Sequence, residues 1–185
     1  TIACWGDSLT YGQGATNEAS GINAYPGVLA SKIPDAAVYN LGIGGETALS
    51  IAARQGVVAF TANDDFTIPA SGAVKIPLAS VGKEVTVNSE KITKTFYYFP
   101  TEKGGYIVPR SNTAGRWNPV TIAGIEGTLA CNVSYEVWPR LLTEATFTRT
   151  TPGDPVHVSK DDKFITGASQ VNKIADVNVF FTGTN

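Results

Sequence analysis

Two short apolar runs near the start of the chain, residues 2–5 and 37–41, each lead into a glycine-punctuated loop and then into a stretch with helical periodicity. Pro26 fits the first turn of a helix that places Val28, Leu29 and Ile33 on one face. Gly42-Ile43-Gly44-Gly45 reads as a tight turn, after which Glu46 or Thr47 opens a helix with Ala48, Ile51 and Ala52 on its apolar face, and Gly56 stops it. Two strand–loop–helix units within 56 residues predict a parallel sheet with helices on its faces.

After Gly56 the texture changes. Eight of the ten prolines lie from Pro69 to Pro155, and short Val/Thr/Tyr-rich runs alternate with turn residues. Residues 85–87, 95–99, 106–108, 120–125, 134–138, 145–148 and 156–158 read as strands of a small antiparallel sandwich or barrel. Residues 166–174 are compatible with a helix or a loop, and the strongly apolar run 177–181 reads as a strand of the first kind again. The expected plan is a discontinuous α/β domain, residues 1–56 and 170–185, interrupted by a β-rich domain over residues 57–169.

Composition narrows the function classes. Apolar residues make up 43% and charged residues 16%, which suits a chain with a packed core. The net charge of −2 without a basic run argues against nucleic acid as the main partner. No apolar stretch reaches membrane-spanning length. Cys4 and Cys131 form no disulfide framework, and Cys4, in the opening apolar strand, reads as a buried free thiol. Asn132-Val133-Ser134 is a glycosylation sequon, relevant only in a glycosylating pathway.

Three turns carry the candidate chemistry. A serine hydroxyl needs a base to take its proton and donors to hold the oxyanion formed on attack. Ser8 follows a strand directly, with Gly6 permitting a tight bend beside it, and its own backbone N–H is a candidate oxyanion donor. Asp7 suits a hydrogen bond within the loop better than the role of triad acid, and Gly-Asp-Ser is also an ordinary turn tripeptide. Gly45 lies between the second strand and its helix, where an amide can face the crevice at the carboxyl ends of the strands. Asn185 follows the third strand at that same edge, with a side-chain amide that can donate. Three strands therefore aim one relevant group each at one rim.

Gly6-Asp7-Ser8-Leu9 resembles the first block of the SGNH, or GDSL, hydrolase family. Residues 40–47, Asn-Leu-Gly-Ile-Gly-Gly-Glu-Thr, resemble its second block, and residues 179–185, ending in Gly183-Thr184-Asn185, its third. The resemblance implies a flavodoxin-like three-layer α/β/α fold. It makes Ser8 the nucleophile and Gly45 and Asn185 oxyanion donors. The implied activity is metal-free and cofactor-free hydrolysis of carboxylic esters, commonly short acyl groups on small alcohols or acylated carbohydrates.

One block departs from the family pattern. The family's Asp-x-x-His pair follows the asparagine block, where this sequence stops. The only histidine, His157, does fit the spacing as Asp154-Pro155-Val156-His157, but it precedes the third strand and lies among the β-rich runs, so it is expected to be a decoy. The expectation is an N-terminal part of such an esterase, with little activity by itself. About a hundred further residues would supply the remaining strands and the Asp/His pair.

Two other readings stand beside it. Trp117, Trp138, Tyr97, Tyr98 and Tyr106 would suit a non-catalytic carbohydrate-binding module, or simply pack a β core. Residues 42–45 also echo a dinucleotide-binding turn, but Thr47 stands where the third glycine belongs, and no cofactor is expected.

Overall fold

The computed structural model describes residues 1–16, 22–109, 117–134, 141–166 and 175–182. Three strands, β1 (Ile2–Gly6), β2 (Val38–Gly42) and β14 (Val177–Phe181), form a parallel sheet in the order β14-β1-β2. Three helices accompany them: α1 (Ser8–Tyr11), α2 (Tyr25–Lys32) and α3 (Ala48–Arg54). Ala3 and Trp5 face α3 and pack on Ile51. Cys4 alternates to the other face, toward Tyr25 at the start of α2.

The expected flavodoxin-like three-layer α/β/α fold does not form. The chain is mostly β-sheet, 48% strand against 12% helix, and its main sheet is a curled antiparallel half-barrel. The physical reason lies in how little sequence has helical periodicity. From Phe60 to Thr166 the runs alternate and break at turn residues, so they pair with neighbours instead of crossing over through helices. Seven of the nine strands described for that sheet follow the path β3 (Phe60–Thr61), β13 (Lys163–Thr166), β9 (Val120–Ile122), β10 (Ile125–Ser134), β11 (Leu141–Arg149), β7 (Glu90–Pro100) and β6 (Ala79–Val87). Off the path, β5 (Ala73–Lys75) pairs with β11 and β8 (Tyr106–Ile107) pairs with β7. A separate ribbon joins β4 (Phe66–Ile68) to β12 (Val156–Val158).

Details of the local expectations also change. The run 120–125 is not one strand but β9, a turn at Ala123 and Gly124, both with positive φ, and the start of β10. Val28 and Ile33, expected on the buried face of α2, are 46% and 39% exposed; the buried side is its first turn, at Ala24 and Pro26. On α3, Ala48 is exposed, and Ser50, Ile51, Ala53 and Arg54 are buried. The expected strand beyond Ser134 and the segment 167–174 lie outside the described residues.

The main core is aromatic. Phe60 meets Phe99 at 5.0 Å, Phe164 at 5.1 Å and Trp117 at 6.1 Å, all edge-on, the geometry that ring quadrupoles favour. Helix α3 is the wall shared by the two sheets. Ile51 belongs to the cluster of the parallel sheet and Ala53 to the larger one, while Thr166 Oγ1 lies 2.7 Å from the Ala53 carbonyl and 2.8 Å from that of Arg54. Through α3 the half-barrel holds the helix that opens beside the candidate site.

Both cysteines are free and buried. Burial pushes the Cys131 thiol up to about 12; it also raises that of Cys4, outweighing an opposing contact from the Tyr25 hydroxyl. A raised pKa keeps the thiol protonated, and only the thiolate is an effective nucleophile. Iodoacetamide at neutral pH is therefore expected to label neither cysteine in the native protein and both after denaturation, read by intact mass. Native labelling of Cys4 would mean that β1 opens.

Candidate functional site

The parallel register levels the carboxyl ends of the three strands. Gly6 stands beside Gly42 on one side and Phe181 on the other, so the loops leaving β1, β2 and β14 emerge at one edge. Asp7 caps α1 by accepting the Leu9 amide at 2.9 Å and is 1% exposed, which makes it part of the loop's framework. Ser8 then opens α1, half-buried, and its carbonyl accepts the amides of Gly12 at 3.0 Å and Gln13 at 2.9 Å. Beneath α1, Thr10 and Tyr25 bury their hydroxyls without a well-formed hydrogen bond between them. Burial pushes the Tyr25 phenol up to about 12, against an opposing contact with Thr10.

The second loop lies against the first. A Cβ on Gly44 would stand 3.9 Å from Ser8 Cβ, so the second loop passes beside the Ser8 side chain with room for about one methyl group between them. The Ile43 amide donates to the Gly6 carbonyl at 3.0 Å, and Glu46 N closes the turn on the Ile43 carbonyl at 3.3 Å. Gly45 occupies the left-handed region, φ +78°, at the corner of that turn. Asn40 ties the loops together: its Nδ2 donates to the Tyr11 carbonyl at 3.3 Å and its Oδ1 accepts the Gly42 amide at 3.0 Å.

A buried ion pair anchors the second loop from behind. Arg54 Nη2 donates to Glu46 Oε2 at 2.8 Å, and Nε lies 3.2 and 3.1 Å from the two carboxylate oxygens. Ser50 Oγ donates to the same carboxylate at 3.2 Å. Arg54 Nη2 also reaches the Leu41 carbonyl at 2.6 Å, and its guanidinium lies 5.0 Å from the Trp5 ring centre. One side chain thus grips the chain before the loop, at Leu41, and after it, at Glu46. Sequence reasoning missed this pair. The available signal was an acid just before the helix and a base at its last position, eight residues apart, with mostly apolar residues between them.

The structure therefore brings Ser8 and the Gly44–Gly45 turn together, while Asn185 lies outside the described residues. His157 stands on β12, opposite Thr67 of β4, in a ribbon separate from the parallel sheet. Its Nε2 is 3.8 Å from Asp65 Oδ2, both side chains being largely exposed. Asp154 instead contributes its carbonyl to Arg149 Nη1 at 2.9 Å, so the Asp-x-x-His spacing does not correspond to a contact pair. Among the described residues no histidine, cysteine or carboxylate side chain is bonded to Ser8, and no cluster of three or more such residues could hold a metal.

The aromatic residues divide. Trp117 is 1% exposed and belongs to the core, Tyr106 is 49% exposed, and Trp138 lies outside the described residues. Among the described residues no helix is long and apolar enough to cross a membrane. Comparison with protein-family models, with curated proteins and with solved structures gives no match.

Proposed function

We propose that the edge formed by β1, β2 and β14 is the active site of a serine-dependent carboxylic ester hydrolase of the SGNH type. The observation that carries this reading is the juxtaposition of Ser8 with the Gly44–Gly45 turn at the level carboxyl ends of parallel strands. It does not depend on a flavodoxin-like fold, which the chain lacks. In this reading Ser8 Oγ attacks the ester carbonyl, and charge develops on the carbonyl oxygen. The backbone amides of Ser8 and Gly45 and the side-chain amide of Asn185 are the donors for that oxyanion. The acyl group passes to Ser8 as the alcohol leaves, and water then releases the acid.

Proton transfer needs a base that the described residues do not bring to Ser8. His157 and Asp65 sit in another sheet. A histidine oriented by an aspartate, delivered by further polypeptide, would complete the machinery. The 185-residue chain alone is therefore expected to turn over p-nitrophenyl acetate little or not at all, and added imidazole to restore part of the rate as an external base. Ser8→Ala should remove all of that restored rate above the imidazole background. Equal rates for the wild-type chain and Ser8→Ala, with and without imidazole, would sink the assignment.

A further inference from the structure

The loop that leaves α1 returns a side chain to the candidate site. Gly12 ends α1 in the left-handed region, φ +106°, and a Cβ there would stand 2.8 Å from Ala24 Cβ, so the turn is tight and only glycine fits it. The Gln13 amide then donates to the Ser8 carbonyl at 2.9 Å, and the Ala15 amide to the Gly12 carbonyl at 3.0 Å. Asn23 Nδ2 ties down the far end of the loop by donating to the Thr16 carbonyl at 2.7 Å. These bonds fix where the Gln13 side chain starts. A Cβ on Gly44 would have two neighbours among the described residues, Ser8 Cβ and Gln13 Oε1, each at 3.9 Å. Ser8 and Gln13 therefore border the same small space above Gly44.

The Gln13 carboxamide is open to a ligand. Gln13 is exposed, and among the described residues its side chain makes no hydrogen bond. A carboxamide both donates and accepts, and it carries no charge. Its surroundings offer no exposed charge either. Asp7 and Glu46 are the only charged residues in the segments 7–16, 40–49 and 177–182, which form the strand ends and loops of this edge. Asp7 is buried as the cap of α1, and Glu46 is buried against Arg54.

We propose that Gln13 contacts the substrate and sets its charge preference, so that the site takes esters that are uncharged beside the ester carbonyl. A neutral hydroxyl there can both accept from and donate to the carboxamide. An ionised group would give up hydration and meet no counter-charge. The proposal rests on the esterase reading, in which Ser8 is the nucleophile. Gln13 takes no part in proton transfer, because a carboxamide does not titrate; it is a specificity-determining contact.

The test pairs two esters of similar length, neutral p-nitrophenyl butyrate and anionic mono-p-nitrophenyl succinate. Both are followed in imidazole-assisted turnover with the Ser8→Ala rate subtracted, and the readout is the ratio of their kcat/KM values, which cancels any effect on imidazole itself. The wild-type chain is expected to favour the butyrate. Gln13→Lys should raise the succinate-to-butyrate ratio by about five- to tenfold and Gln13→Glu should lower it by a similar factor, as follows when one charge is brought near another at a partly hydrated site. Thr93→Lys, at an exposed position on β7 in the other sheet, makes the same change in net charge and should leave the ratio within about twofold. Ser8-dependent turnover whose ratio moves no more in the Gln13 variants than in Thr93→Lys would overturn the proposal and leave the esterase reading standing, as would a wild-type preference for the succinate. Absence of any Ser8-dependent turnover, with far-UV circular dichroism of a folded chain, would overturn the esterase reading and the proposal with it.

Discussion

Arg54→Met is expected to lower the stability of the fold by about 3–5 kcal/mol, the range seen when one partner of a buried ion pair is removed. The substitution keeps most of the apolar volume, so the loss reflects the guanidinium and the contacts it makes. Arg54 is fully buried, and Glu46 is 4% exposed. Without the guanidinium the Glu46 carboxylate keeps the Ser50 hydroxyl but loses its counter-charge, the Leu41 carbonyl loses a 2.6 Å hydrogen bond, and the Trp5 ring loses its cation. For a chain of this size the midpoint of thermal unfolding should fall by roughly 6–20 °C. The double variant Glu46→Gln/Arg54→Met should recover a substantial part of the loss, because no unpaired buried charge remains. Thermal and urea unfolding of the wild type, the two single variants and the double variant would measure the coupling. A loss under about 1 kcal/mol in Arg54→Met would mean that water reaches the pair.

The same pair shows where sequence reasoning stops. Glycine-broken apolar runs were enough to place β1, β2 and β14 in one parallel sheet, with β1 buried at its centre and β14 largely exposed at its edge. They were not enough for the fold class. The expected α/β/α layering was inferred from family motifs carried by only the first 56 and last residues, and motifs of a few residues fix a turn rather than an architecture. The antiparallel half-barrel takes up most of the chain, and its strands exceeded or escaped the expected runs at recognisable places. The turn between β9 and β10 is Ala123-Gly124, without the Asn-Gly or Asp-Gly signature, so one run concealed two strands. Strand β10 carries Gly127, which masks its alternation; in the structure the Phe147 ring lies where a Cβ on Gly127 would project, filling the gap from the neighbouring strand.

The candidate site was legible to a similar depth. Ser8 and Gly45 could be assigned to one rim because each follows a strand of that sheet directly, and local chain geometry decides such positions. Arg54 could not, since a charged residue on a short helix is normally solvated, and only the tertiary positions of Leu41, Trp5 and Glu46 make a buried guanidinium satisfiable. The case of Asp154 and His157 is the reverse. Their spacing fits a motif, but strand pairing with β4 sets His157 beside Asp65.

Gly42→Ala is expected to be more damaging than an ordinary overpacking change of about 1–3 kcal/mol, and to remove Ser8-dependent hydrolysis with it. A methyl group on Gly42 would land on the Tyr11 backbone nitrogen and within 2.6 Å of the Thr10 carbonyl carbon. Both obstacles are main chain, so no rotamer change relieves the clash. Either β2 leaves its register with β1 or α1 is pushed off the sheet, and α1 begins with Ser8. Gly6 is confined in the same way, between Thr10 and the Phe181 carbonyl, so the close approach of α1 is enforced from both neighbouring strands. Gly44→Ala is the matched control. Its new methyl would meet nothing closer than 3.9 Å, and its stability should change by less than about 0.5 kcal/mol. Urea unfolding of the two variants, with imidazole-assisted p-nitrophenyl acetate turnover measured on the folded fraction, separates a displaced α1 from simple loss of stability. If Gly42→Ala is as stable as Gly44→Ala, the contact between α1 and β2 is looser than described, and the closeness of Ser8 to the second loop loses its structural cause.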